Sequence, residues 1–321
     1  MSAILRIGSR GSQLALWQAH HVAGLLRGRG HEVEIEVIKT TGDRLQTVTF
    51  AQVGAMIPKG MFTLEIEEAL AAGRIDLAVH SLKDLPTELP REFVLGATPK
   101  RVDPRDVLVS RDHASFQDLP AGARVGTSSL RRRAQLRAIR PDLEYVEFRG
   151  NVDTRLRKLG DGQAEAILLA AAGLDRLEKT EWVRERIEPE VVCPAAGQGA
   201  LGIEIRAQDA RVSEIVAFLD DPVTRFAVTA ERVALAALGG GCQVPIGVHC
   251  RALNLHPLTE NGFGSPRGDR YEILGAVADP EGSRVLRSNT SGNQAEDLGR
   301  AVAADLLQQG ASELFEGIGT H

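Results

Sequence analysis

A single thiol stands on a glycine-rich turn: Cys242 lies in the segment Gly239-Gly240-Gly241-Cys242-Gln243-Val244-Pro245. A structural cysteine packs as a small hydrophobe among apolar neighbours. Three glycines offer no such neighbours, only backbone that bends sharply and admits another group at close range. The pattern therefore reads as a thiol to which something is attached. Val244 and Pro245 restart an extended run and hold it at the rim of a strand.

The second concentration of chemistry is basic. Arg131-Arg132-Arg133 opens a helix directly after Gly126-Thr127-Ser128-Ser129, and a helix N-terminus presents unpaired N–H groups to an anion. Arg137, Arg149, Arg155 and Arg157 follow within two short segments. Arginine dominates lysine in this block, and the guanidinium fork suits bidentate carboxylate or phosphate binding. Each charge-assisted bond contributes about 1.5–3 kcal/mol, so the set suits a ligand carrying several carboxylates. The third concentration is His80-Ser81-Leu82-Lys83-Asp84-Leu85-Pro86. It ends a buried strand, so a rigid element delivers Lys83 and Asp84. Nothing in the chain has the form of a Ser-His-Asp triad, a metal cluster or a phosphate-cradling P-loop.

The elements that position these residues alternate as strand and helix over the first two thirds, which predicts parallel α/β sheets. Residues 4–7 and 33–38 read as strands. Leu14, Trp17, His21 and Leu25 share one helical face between them, and 62–72 reads as another helix. A strand over 75–79 runs into a loop beginning at His80. The logic repeats with a strand at 124–125, a helix over 130–139 stopped by Pro141, and a strand over 166–169 before a loop at 170–173. Two equivalent pairs of loops result: 8–12 with 126–129, and those after Val79 and Leu169. Ligands in open α/β sheets bind beyond the carboxyl ends of strands, so two facing domains form a cleft lined by all four loops. Arg10 and Arg176 lie on two of them, Arg149-Gly150-Asn151 is a further tight turn, and Gly197-Gln198-Gly199 is the crossing back between domains. The last third is a small α+β domain: a helix over 222–238, a hairpin around Asp279-Pro280-Glu281-Gly282-Ser283, and a helix over 294–309. Residues 254–269 read as an irregular surface loop.

The bulk properties bound the partners. A chain of 321 residues suggests two or three domains. A formal charge of −5 argues against nucleic acid or an acidic membrane as an overall partner. Few aromatic residues stand beside the arginines to stack on bases. Cys193, Cys242 and Cys250 are odd in number and lack metal-ligand spacing, which predicts a reducing compartment. With no charged-then-apolar leader at Met1 to Arg6 and no apolar run long enough to span a bilayer, the expected location is cytoplasmic.

Taken together, these motifs resemble the porphobilinogen deaminase (hydroxymethylbilane synthase) family along nearly the whole chain. The segments that carry the likeness are Arg10-Gly11-Ser12 with 14–19, His80 to Pro86, and Asp103-Pro104-Arg105-Asp106. Gly126 to Arg132, Arg149-Gly150-Asn151-Val152, Pro194 to Gly199 and the cysteine turn Gly240 to Gly247 complete the series. The resemblance implies two periplasmic-binding-protein-like α/β domains and a small α+β C-terminal domain. Their expected bounds are 1–99 with 200–219 for the domain of the aspartate loop, 100–199 for the arginine-rich one, and 220–321 for the domain of the cysteine. It implies the head-to-tail condensation of four porphobilinogen molecules into a linear tetrapyrrole, with release of ammonia, by a monomer. The condensation is built on a dipyrromethane primer held by a thioether, here at Cys242. Asp84 is then the catalytic carboxylate. The cofactor's contacts fall on Lys83, Thr127, Ser129, Arg131, Arg132, Arg149 and Gly150. Those of the substrate fall on Arg10, Ser12, Lys59, Arg149, Arg155, Arg176 and Gln198.

The chain departs from the family within residues 43–64, of which 43–59 correspond to a loop over the family's active site. Thr47 and Gln52 stand where many members carry an aspartate and a lysine, and Leu64 replaces another frequent lysine. Ala55-Met56-Ile57-Pro58 before Lys59 is longer and more apolar than usual. The expectation is an altered affinity or chain movement rather than an altered chemical step. A non-catalytic two-lobed binding protein for a polycarboxylate anion is the alternative; it explains the arginines but needs neither Cys242 on its turn nor Asp84 at a strand end.

Overall fold

The computed structural model describes residues 4–41, 63–240, 244–254 and 270–314. Three sheets organise them. The first runs β2 (Val33–Val37), β1 (Leu5–Ser9), β3 (Leu77–Ser81), β10 (Leu201–Arg206), β4 (Phe93–Ala97). The second runs β7 (Glu144–Val146), β6 (Arg124–Gly126), β8 (Ala166–Ala170), β5 (Asp106–Ser110), β9 (Val183–Ile187). The third is the antiparallel set β11 (Ile246–Asn254), β12 (Arg270–Ala278), β13 (Val285–Gly292).

The two large sheets share one plan, and the expectation of purely parallel sheets needs correcting. In each, four of the five strands run the same way and the fourth in order is antiparallel to both its neighbours: β10 in the first, β5 in the second. The inserted strand enters just after the chain has crossed from one sheet to the other, so its direction is set by the crossing. Single-strand periodicity carries no record of that direction. Because β10 keeps pairing to the end of β3 (Leu201 with Ser81, Gly202 with His80), His80 and Ser81 are strand residues rather than the start of a loop. Likewise the expected loop after Leu169 is the helix Ala171–Arg176.

The helix Gln13–Arg27 shows which stripe of an amphipathic sequence wins. Gln18, Ala19, Val22, Ala23 and Leu26 are buried against the sheet, at the i, i+3, i+4, i+7 spacing of a core face. The Leu14-Trp17-His21-Leu25 stripe shares a face, as expected, yet Trp17 is 36% exposed and Leu25 39%. Small residues bring the helix axis close to the strands, so the larger stripe is left to face elsewhere.

The third sheet is covered by the helices Pro222–Ala237 and Ala295–Gln308, and its core joins Phe226, Ala230 and Ala234 to Val248, Ile273, Val277, Leu298 and Val302. It also packs on the rest of the molecule. Gly247 lies so close to the Cys193 carbonyl that any side chain there would clash. Gly282, in the hairpin turn, has a positive φ of 71° and packs on the Ala134 carbonyl of the helix Leu130–Arg137.

Candidate active site

Two turns at corresponding places begin the site. Each follows the central parallel strand of its sheet and ends in a serine that caps a helix, satisfying one of the orphan N–H groups there. Ser12 Oγ accepts from Ala15 N at 3.3 Å, and Ser129 Oγ accepts from Arg132 N at 3.4 Å. Thr127 Oγ1 accepts from Ser129 N at 3.2 Å and so shapes the second turn. Opposite, β3 passes directly into the short 3-10 turn Leu82–Asp84, which presents Asp84 at the surface beside half-buried Lys83.

These turns face one another across a cleft of about 290 Å³. Of the expected residues, Arg10, Ser12, Lys83, Asp84, Arg132, Gly150, Arg155 and Arg176 line it together. Gly150 has a φ of +117°, and a Cβ there would stand 2.7 Å from Thr154. Its carbonyl accepts from Arg155 Nε at 2.7 Å. Burial, with Arg132 and Arg149 nearby, pulls the Arg155 pKa down to about 10. Burial alone does the same for Arg176. For Lys83, burial outweighs the neighbouring Asp84 and lowers the pKa to about 8. Three cations assembled at such a loss are held ready for anionic charge.

Thr127, Ser129, Arg131, Arg149 and Gln198 are not among the residues that line the cleft; Thr127, Arg131 and Gln198 are buried. Arg131 and Arg132 converge on a fully buried carboxylate, Asp106: Arg131 Nη1 reaches one oxygen at 2.7 Å, and Arg132 reaches the other through Nε at 2.9 Å and Nη2 at 2.7 Å. Gln198 Nε2 donates to the same carboxylate at 2.8 Å, while its Oε1 accepts from Lys83 at 3.4 Å. Burial alone would raise the Asp106 pKa, but the two guanidiniums overcome it and hold the carboxyl far below the usual range. Asp106 carries no assignment in the sequence reading, although its segment does. The only signal is an aspartate at the head of the fully buried strand Asp106–Ser110, which requires a cationic partner. Arg149 pairs with Glu147.

A second buried carboxylate that sequence reasoning missed lies where the chain crosses between sheets. Glu231, on the helix Pro222–Ala237, binds Arg101 at 2.6 Å from one crossing and Gly197 N at 2.6 Å from the other. It also accepts from Cys250 N of β11 at 2.7 Å. The crossings themselves run side by side, with Val102 N donating to Gly199 O at 3.3 Å. Gly197 and Gly199 have φ of +74° and +87°, values that favour glycine.

The expected attachment point Cys242 lies outside the described residues, as do Lys59, Thr47 and Gln52 of the 43–59 segment and residues 255–269. Leu64 is described: it begins the helix Leu64–Ala71 and is 57% exposed. Cys193 and Cys250 are buried free thiols. Among the described residues there is no grouping of side chains that would hold a metal ion, and no helix is long and apolar enough to cross a membrane.

The family model for "Porphobilinogen deaminase, dipyromethane cofactor binding domain" matches residues 5–214, and that for "Porphobilinogen deaminase, C-terminal domain" matches 225–308. The porphobilinogen deaminase of Geobacter metallireducens is 48% identical over 97% of this chain and 93% of its own length. That of Nitratidesulfovibrio vulgaris (Miyazaki F) is 49% identical over 97% of this chain and 96% of its own. Among solved structures, a periplasmic substrate-binding protein of an ABC transporter from Coxiella burnetii aligns at a TM-score of 0.39 and 17% identity, over 69% of this chain and 94% of that one. Matched by both family models and by near full-length relatives at almost half identity, the chain belongs to the porphobilinogen deaminase family.

Proposed function

We propose that the cleft between the two large sheets is the catalytic centre and that Asp84 is its catalytic carboxylate. The chain condenses four porphobilinogen molecules head to tail, releasing ammonia, to the linear tetrapyrrole hydroxymethylbilane. One observation carries the assignment: an exposed carboxylate at the end of a rigid strand shares a cleft with Lys83, Arg132, Arg155 and Arg176. Porphobilinogen brings an acetate and a propionate on every ring, which is the ligand such a cation set fits.

Loss of ammonia from the aminomethyl group leaves a cationic azafulvene with charge spread onto the pyrrole nitrogen. Asp84 accepts that N–H, stabilises the developing charge and handles the proton. Being fixed at the end of β3, it needs no reorganisation at the moment of reaction. Arg10, Ser12, Lys83, Arg155 and Arg176 bind the side-chain carboxylates. Arg132 does so from a helix N-terminus, and Arg131 and Gln198 hold it there through Asp106. Lys59 and Arg149 complete the substrate's set. The donor set fits a dipyrromethane, since buried guanidiniums face a cleft whose only described carboxylate is Asp84. Thr127, Ser129, Gly150 and the cations around them would hold its carboxylates, with Cys242 as its thioether anchor. When bound, the dipyrromethane supplies the nucleophilic pyrrole carbon on which the chain is built. The protein works as a monomer in the cytoplasm, without nucleic acid.

Intact-protein mass spectrometry of the purified chain beside Cys242→Ser tests this reading. The expected result is an excess mass of two linked pyrrole units, absent from the variant. A bare polypeptide in both, unchanged after incubation with porphobilinogen, would overturn it.

A further inference from the structure

Arg176 is buried at 7% exposure, yet among the described residues no carboxylate pairs with it. The other deeply buried arginines differ: Arg101 has Glu231, and Arg131 and Arg132 have Asp106. Arg176 Nη2 donates to the Gly199 carbonyl at 2.8 Å, and its Nε is buried without a hydrogen-bond partner. The guanidinium stands near an aromatic face carried by the helix Gln13–Arg27. Its Cζ stands 5.8 Å from the centroid of the Trp17 ring. Trp17 in turn is stacked on His21, with centroids 5.2 Å apart and planes within 8°. Burial, and then Arg176, lowers the His21 pKa, which disfavours charge on the imidazole below the indole.

Trp17 does not line the cleft, whereas Leu14, one helical turn before it, and Arg176 both do. The helix Gln13–Arg27 packs on the first large sheet, and the helix Ala171–Arg176 continues directly from β8 of the second. The stripe of the first helix that its own sheet leaves exposed is therefore the one that meets Arg176. An indole face attracts a guanidinium and, unlike a carboxylate, does not neutralise it. The arginine keeps its full charge for an anion.

We propose that Trp17 is a positioning residue: its indole, backed by His21, holds Arg176 across the cleft in the orientation that receives a pyrrole carboxylate. This rests on the reading of Arg176 as a substrate-binding residue. Because platform and arginine belong to different sheets, the site is complete only when the two lobes stand at this separation.

The test uses the primer-loaded enzyme and the variants W17F, W17L, R176Q and W17L/R176Q, with kcat and KM measured by porphobilinogen consumption. W17L is expected to raise KM roughly three- to tenfold while changing kcat less than twofold, the range a cation–π contact supports. W17F, which keeps an aromatic face, recovers most of the affinity. R176Q should absorb the effect, so that W17L/R176Q is no worse than R176Q alone. Unchanged KM in W17L, or multiplicative losses in the double variant, would overturn the proposal. A second readout needs no turnover. In W182F, where Trp17 is the only tryptophan, R176Q is expected to increase acrylamide quenching of Trp17 emission; equal quenching with and without Arg176 would remove the contact itself. An inactive wild type that still shows the quenching difference would overturn the functional reading and leave the contact standing.

Discussion

The backbone N–H of Gly197 donates to the Glu231 carboxylate at 2.6 Å, although Gly197 lies on a crossing between the two large sheets and Glu231 in the C-terminal domain. The same carboxylate holds Arg101, on the other crossing, at 2.6 Å. One buried charge therefore ties both connections between the lobes to the domain of the cysteine turn. Burial would raise its pKa, but Arg101 and His249 prevail and keep it low.

Glu231→Gln should destabilise the protein by about 3–5 kcal/mol, because it leaves Arg101 buried with a neutral partner. Amide exchange should accelerate at Gly197 and Cys250, whose N–H groups the carboxylate accepts. Denaturant unfolding gives the first number, and hydrogen exchange the second. Unchanged protection at both amides would mean the crossings are held by something else.

Asp106→Asn removes the charge between Arg131 and Arg132 and is expected to cost a similar ~3–5 kcal/mol. The pH dependence has a definite sign. The native carboxyl titrates well below its unfolded value, so its contribution is complete above roughly pH 4 and is lost as pH falls below that. Acid unfolding of the wild type should therefore be steeper below pH 4 than that of Asp106→Asn. Parallel acid limbs would contradict this.

Asp84→Ala should leave a folded, primer-loaded protein, since Asp84 is exposed and no core contact depends on it. Turnover should fall by roughly 10²–10⁴, the range for a positioned acid–base or charge-stabilising group. Mass spectrometry checks the loading and ammonia release checks the rate. Normal turnover would take Asp84 out of the chemistry.

Lys83 gives the cleft an alkaline limit. Burial lowers its pKa to about 8, so in the free enzyme the ammonium is lost as pH rises through 8. kcat/KM for porphobilinogen, which reports free-enzyme ionisations, should decline above that pH. Lys83→Arg should move the limb upward and Lys83→Gln should abolish it at a lower plateau. A limb that stays at pH 8 in Lys83→Gln belongs to another group.

Much of this protein is present in its local sequence. The Ser12 and Ser129 turns, the strand that precedes Asp84, the tight turn at Gly150 and the small C-terminal sheet all follow from patterns within a few residues, because caps, turns and periodicity are short-range physics. Other features required the tertiary structure. The antiparallel β10 and β5 depend on how the chain crosses between sheets. Asp106 and Glu231 acquire meaning only from arginines 25 and 130 positions away, since a buried charge is defined by what surrounds it. Arg131 and Arg132 are adjacent in sequence, yet only Arg132 lines the cleft. The Trp17 stripe shows the same limit: its period predicts one shared face, but only packing decided that Ala19, Val22, Ala23 and Leu26 would face the sheet and leave Trp17 to Arg176. Sequence alone determined which chemical groups the protein carries and which local turns present them; the fold decided which of those charges are spent on one another and which remain for a ligand.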